Sequence, residues 1–156
     1  LDYWEEKLKL DITELKTTIK HKICIRPNAE KLLKKLQAGN NRLLLITNTH
    51  PSSMAIKLNH SGIGKYFHQT ISSHRLNLAK ENGGFWESLR KIEPYNPKRA
   101  LLFDDSLPVL RQAKKEGIRH LYGIKQPDSQ KPALLPAEFP QIEDFADIIP
   151  SAVINE

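Results

Sequence analysis

Apolar residues recur along this chain in two alternating rhythms, one with helical spacing and one as short unbroken runs. Trp4, Leu8, Ile12 and Leu15 fall at helical spacing and predict a helix over 2–19, with Asp11 and Thr13 as points where it could divide. Pro27 and Asn28 open a second helix, which carries Leu32, Leu33 and Leu36 on one face and closes at Gly39. The run RLLLITN is apolar up to a polar turn and reads as a strand buried on both faces. A further helix is expected over 52–59, ending before Gly62, and QTISS is a short strand. GFWESLRKIE is amphipathic and groups Phe85, Leu89 and Ile92. RALLF reads as a second strong buried strand, LPVLRQAKKEG as the helix after it and RHLYGI as a third strand. About the last 30 residues, with Pro127, Pro132, Pro136, Pro140 and Pro150, form an irregular tail around one short helix near 142–148. Helix and strand in alternation predict an α/β fold, a three-layer doubly wound parallel sheet with helices on both faces.

Composition narrows the class. The chain has 156 residues and 39% hydrophobic content, enough for one domain with a real core. Lys and Arg total 24 against 18 Asp and Glu, a formal +6 that favours phosphate-bearing partners. The cations Lys31, Lys34, Lys35, Lys114 and Lys115 nevertheless sit on helical segments without interleaved aromatics, which reads as solvated helix faces and no nucleic-acid surface. The single cysteine, Cys24, excludes an internal disulfide. No apolar run approaches the roughly 18 residues of a membrane span, and no signal-peptide pattern opens the chain. A soluble cytoplasmic protein with no membrane partner is the expectation. The first residue is Leu rather than Met, which suggests a piece of a longer protein. Oligomeric state is not legible.

The chemistry gathers at strand ends. In doubly wound sheets ligands lie beyond the carboxyl ends of the strands, where helix N-termini present free N–H groups. Two strong strands end in ITNTH and FDDS, which sets Thr47, Asn48, Asp104 and Asp105 on that rim. A hydroxyl and an amide suit phosphoryl oxygens, while hard carboxylate oxygens suit Mg²⁺. Simpler roles exist for each residue alone. Asp105 or Ser106 could cap the helix that Leu107 begins, Thr47 is a good strand residue, Asn48 a turn former and Lys80 a solvated lysine. Capping accounts for one acidic residue and leaves the second unexplained. His50, Ser52 and Ser53 follow Thr47 closely, and a loop histidine there reads as a polar surface residue.

The order Thr47, Lys80, Asp104–Asp105 resembles motifs two, three and four of the haloacid dehalogenase superfamily of phosphatases. Receiver domains use the same residue types in a different order, with the acidic pair first. The stretches LDYW, TNTHP, FDDS and GIKQPDS are similar to those of the bacterial purine 5′-nucleotidases of that superfamily, the GMP/IMP nucleotidases. The resemblance implies a Mg²⁺-dependent hydrolase of small phosphate monoesters, with IMP or GMP as substrate. An aspartate attacks the phosphate, a second acidic residue protonates the leaving oxygen, and water hydrolyses the aspartyl phosphate. It also implies roles for residues of this chain. Thr47 would hydrogen-bond a phosphoryl oxygen with support from Asn48, and Lys80 would neutralise the phosphate and the nucleophile. Asp105 would ligate Mg²⁺, while Asp104 would act through a metal-bound water or orient Lys80.

The family's first motif is missing. It is an Asp-x-Asp that supplies nucleophile and acid, and none occurs in the 156 residues. Asp2 lies in a helical pattern, and Asp11 is followed by Thr13 without a preceding apolar strand. The expectation is therefore a C-terminal portion, with 1–22 a remnant of a helical cap and 23–156 the core domain lacking its first, central strand. Two functions of different class follow. One is a truncated Mg²⁺-dependent nucleotidase, inactive by itself; the other is a non-catalytic module that binds phosphate or protein.

Overall fold

Five short strands and four α-helices alternate along the described residues of the computed structural model. These are residues 17–127 and 138–149 together with Glu6, Lys7, Lys9 and Glu14. The chain divides into two units, Leu1–Arg75 and Leu76–Glu156. Glu6, Lys7, Glu14, Thr17 and Thr18 are helical, but Trp4, Leu8, Ile12 and Leu15 lie outside the described residues, as do Asp2, Asp11, Pro132, Pro136 and Pro150.

In the first unit, α1 (Ala29–Ala38) follows Asn28 in the left-handed region and buries Leu32. It stops where the Gly39 N–H bonds to the Lys35 carbonyl at 3.1 Å. β1 (Leu44–Thr47) leads into α2 (Pro51–Ser61), whose first residue is a proline with its φ already set for a helix. α2 ends at Gly62, whose φ of 68° suits a residue without Cβ. β2 (Gln69–Ser72) pairs parallel with β1 in the register Leu44↔Gln69 to Thr47↔Ser72.

In the second unit, α3 (Phe85–Ile92) begins after Gly84, which has a φ of 81°. The Glu116 carboxylate accepts the N–H groups of Gly84 and Glu87 at 3.0 and 2.7 Å, so it satisfies donors that the helix start leaves open. β3 (Leu101–Asp104), α4 (Leu107–Lys115) and β4 (His120–Ile124) form a parallel βαβ unit. β5 (Gln141–Ile142) adds a parallel third strand beside β4. The core is Phe85, Trp86 and Leu89 of α3 with Val109, Leu110 and Ala113 of α4, joined by Ile118, Leu121 and Ile142. The protein is thus an α/β parallel-sheet fold, as the alternation predicts.

Three expectations change. The tail holds a strand at Gln141–Ile142 before its helical turn, which spans Phe145–Ile148 as a 3₁₀ helix. Pairing with β4 overrides local preference there: Gly123 N–H bonds to the Pro140 carbonyl at 2.8 Å and Lys125 N–H to the Ile142 carbonyl at 2.9 Å. The 3₁₀ turn then starts at Asp144, whose carboxylate accepts the Ala146 N–H at 2.7 Å while Asp147 reaches back to the Asp144 N–H at 3.1 Å. Secondly, β1 is half-buried along its length, and Leu101 of β3 is 49% exposed. Each pairs along one edge only among the described residues, so neither is covered as a central strand is. Thirdly, Ile92 is exposed and Trp86 takes the inner position.

Tyr95 provides a test of packing around α3. Its hydroxyl donates to the Trp86 carbonyl at 3.3 Å, and burial pushes its pKa from 10.0 to about 12. The raised value means the folded state keeps a proton that the unfolded chain loses. Stability is therefore constant below about 10 and falls as pH rises from about 10 to about 12. An alkaline titration of tyrosinate absorbance should show Tyr95 ionising late, and the Tyr95→Phe variant should lack that step. A late step that persists in the variant would assign the buried phenol to another tyrosine.

Candidate active site

Thr47 closes β1 and stands opposite Ser72, the last residue of β2, so the loops leaving both strands emerge side by side. The Thr47 hydroxyl is half-buried, donates to Thr49 Oγ1 at 3.0 Å and accepts the Thr49 N–H at 3.1 Å. Ser72 Oγ donates to the Thr49 carbonyl at 2.7 Å and clamps this loop from the neighbouring strand. Asn48 is exposed at the crest. His50 follows, with Nδ1 3.0 Å from Ser52 Oγ and its ring in edge contact with His74, centroids 5.1 Å apart. Hydroxyls and an imidazole pair thus help to hold the loop.

The second unit carries the charged residues. Asp104 is the last residue of β3 and its side chain is 5% exposed. One of its oxygens, Oδ2, accepts from Lys80 Nζ, whose side chain is 12% exposed, in the loop before α3. The other, Oδ1, accepts the Ser106 N–H at 3.0 Å. Both oxygens therefore have a protein donor. Asp104, two residues upstream, serves the start of α4, and neither Asp105 nor the Ser106 hydroxyl caps it. Asp105 is exposed. Asp104 and Lys80 are thus paired side chain to side chain. Thr47 and Asn48 belong to one unit and Lys80, Asp104 and Asp105 to the other, so each group stands within its own unit.

Thr49, Ser72 and His74 take part in the first loop although the sequence reading passed over them. The polar run SSH directly after QTI was the available signal, since a parallel β2 ends on the same side as β1. Among the described residues no three His, Cys, Asp or Glu side chains gather as a metal-holding group, and no helix is long and apolar enough to cross a membrane.

The model of the haloacid dehalogenase-like hydrolases matches residues 6–132. The GMP/IMP nucleotidase YrfG of Escherichia coli strain K12 is 32% identical over 151 residues, which cover 97% of this chain and 68% of the nucleotidase. A HAD phosphatase from Thermococcus onnurineus superposes with a TM-score of 0.73 at 21% identity, over 90% of this chain and 65% of that one. A HAD family enzyme from Bacteroides thetaiotaomicron, solved with magnesium and inorganic phosphate, has a TM-score of 0.67 at 19% identity, over 82% and 69% of the two chains. At these identities the two structures speak for the fold alone. The chain spans about two thirds of the length of these relatives. Matched along most of its length by the family and along nearly all of it by the nucleotidase, the chain belongs to the haloacid dehalogenase-like hydrolases.

Proposed function

We propose that this chain is the larger part of a Mg²⁺-dependent phosphatase that hydrolyses purine nucleoside 5′-monophosphates. The 32% identity to a GMP/IMP nucleotidase over 97% of the chain carries the reading. The Lys80–Asp104 pair supports it, because a partly buried, oriented ammonium is what a developing phosphoryl charge requires. Thr47 donates to a phosphoryl oxygen by turning its hydroxyl proton away from Thr49, while the Thr49 N–H keeps the oxygen in place. Asn48 supports the crest of that loop. Lys80 neutralises phosphate charge, and Asp104 fixes the direction of its ammonium.

The donors suit Mg²⁺, a hard cation held through one or two carboxylates with water and substrate phosphate. Asp105 is an exposed carboxylate next to Asp104, whose oxygens already accept from Lys80 and Ser106. Asp105 would therefore hold the ion, with Asp104 no more than an indirect contributor. When bound, Mg²⁺ neutralises phosphoryl oxygens. The nucleophile and acid come from an Asp-x-Asp segment outside these 156 residues, on a strand that pairs with an edge of β1 or β3 that has no partner among the described residues. On this reading 1–22 belongs to a cap and 23–156 to the core, and the protein works in the cytoplasm. The absence of Asp-x-Asp favours a second reading, a module that binds phosphate or protein without turning it over.

The two readings separate in a protein that contains these residues together with an Asp-x-Asp strand. Phosphate release from IMP and GMP with Mg²⁺ supports the phosphatase, and its absence supports the module. In the active form, Asp105→Asn should abolish Mg²⁺-dependent hydrolysis while circular dichroism stays unchanged, since the amide keeps the shape and removes the charge. Full activity in that variant would remove Asp105 from the metal site.

A further inference from the structure

The residue before α3 is Gly84, which has no side chain to cap the helix. The cap comes instead from Glu116, 32 residues on, which directly follows α4. Its oxygen Oε1 accepts the Gly84 N–H at 3.0 Å and the Gln112 side-chain amide at 2.8 Å, while Oε2 accepts the Glu87 N–H at 2.7 Å. Gln112 lies one turn earlier on α4 and so fixes the direction of the carboxylate. Glu116 is half-buried, and its own N–H bonds to the Gln112 carbonyl at 3.1 Å.

Two consecutive turns connect Lys80 to this anchor. The Asn82 N–H bonds to the Ala79 carbonyl at 3.0 Å, which makes Lys80 and Glu81 the central residues of the first turn. The Phe85 N–H bonds to the Asn82 carbonyl at 3.3 Å and closes the second turn around Gly83 and Gly84. Gly84, at its third position, has a φ of 81° that strains any residue with a Cβ, and its N–H is the one that Glu116 accepts. The Lys80 ammonium in turn meets Asp104, whose other oxygen accepts the Ser106 N–H at the start of α4. The turn that carries Lys80 and the carboxylate that receives it are thus tied to opposite ends of one helix. A cap drawn from the first turn of α3 itself would steady that helix and leave the 79–85 segment without this tie to α4.

We propose that Glu116 is a positioning residue for Lys80: by tying the 79–85 turns to the end of α4, it sets where the ammonium stands. Its consequence for catalysis rests on the phosphatase reading, in which a group misplaced by about 1 Å can cost on the order of 100-fold in rate. A capping role alone would lower stability and leave Lys80 in place.

Trace acetylation of the chain, read lysine by lysine by mass spectrometry, tests the placement of Lys80 without any need for activity. Glu116→Ala should raise labelling of Lys80 at least about fivefold relative to Lys125, which pairs with Glu143. Tyr95→Phe also removes a hydrogen bond to α3, at the Trp86 carbonyl, and should leave the ratio unchanged. In the form that contains an Asp-x-Asp strand, Glu116→Ala should lower kcat/KM for IMP at least about tenfold, but less than about twofold when Lys80 is already Ala. Glu116→Gln, which keeps one acceptor oxygen, is the milder variant should Glu116→Ala fail to fold, and its effects should have the same direction. An unchanged Lys80 ratio in the folded Glu116 variants, an equal rise in Tyr95→Phe, or a kinetic loss of the same size with and without Lys80 would each overturn the proposal. If the unsubstituted form with its Asp-x-Asp strand hydrolyses nothing, the phosphatase reading falls and the acetylation ratio alone decides whether Glu116 places Lys80.

Discussion

Replacing Asp104 with Ala should destabilise the protein by roughly 3–5 kcal/mol, measured as a shift in the midpoint of denaturant unfolding at unchanged m-value. The side chains of Asp104 and Lys80 are 5% and 12% exposed, so the substitution leaves an ammonium with little access to water and without its counter-charge. It also removes the acceptor of the Ser106 N–H at the start of α4. A surface pair such as Lys91 with Glu87 should cost less than about 1 kcal/mol under the same treatment, because water replaces the lost partner. The double variant Lys80→Met/Asp104→Leu separates the terms. It deletes both charges, and most of the lost stability should return, since an apolar pair of similar volume carries no desolvation penalty. A loss below about 1 kcal/mol in Asp104→Ala would mean that Lys80 reaches water easily and that the pair does not fix its direction.

The same pair shows how far the sequence can be read. RLLLIT and RALLF are legible as strands because an apolar run of that length has few other uses in a soluble chain, and β1 and β3 formed there. Their burial was overestimated because it depends on neighbours along both edges, which no local pattern reveals. β5 was illegible for a related reason: Gln141 and Ile142 are two residues with no periodicity, and pairing with Gly123 and Ile124 alone makes them a strand. Among the candidate site residues, Thr47, Asp104 and Asp105 stand out at the ends of apolar runs, while Lys80 enters only through the resemblance to the family's motif order. The resemblance left Asp104 with either Lys80 or a metal-bound water, and no local pattern shows the contact with Lys80, because Lys80 lies on a loop whose path depends on tertiary packing. Ser72 and His74 were within reach, since the rule that picked Thr47 at the end of β1 applies equally to the end of β2.

The 156-residue chain alone should release no measurable phosphate from IMP, GMP or an aryl phosphate at any Mg²⁺ concentration. Hydrolysis of phosphate monoesters is so slow without a catalyst that enzymes accelerate it by up to about 10²¹-fold, and the family's route begins with attack by an aspartate. No Asp-x-Asp is present in the sequence to make that attack or to protonate the leaving oxygen. On the proposed reading the chain supplies groups that bind and orient phosphate, a hydroxyl loop at Thr47, an ammonium at Lys80 and an exposed carboxylate at Asp105. Electrostatic groups of that kind speed a displacement only when a nucleophile is in place, and water without a base is a poor substitute. β1 and β3 each pair along one edge only among the described residues, and an edge left without a partner favours association of the chain. Phosphate release should appear once an Asp-x-Asp strand is supplied. Metal-dependent turnover by the 156 residues themselves would show that a carboxylate among them, with exposed Asp105 the first to test by substitution, is the attacking group, and the metal-ligand role proposed for it would pass to another residue.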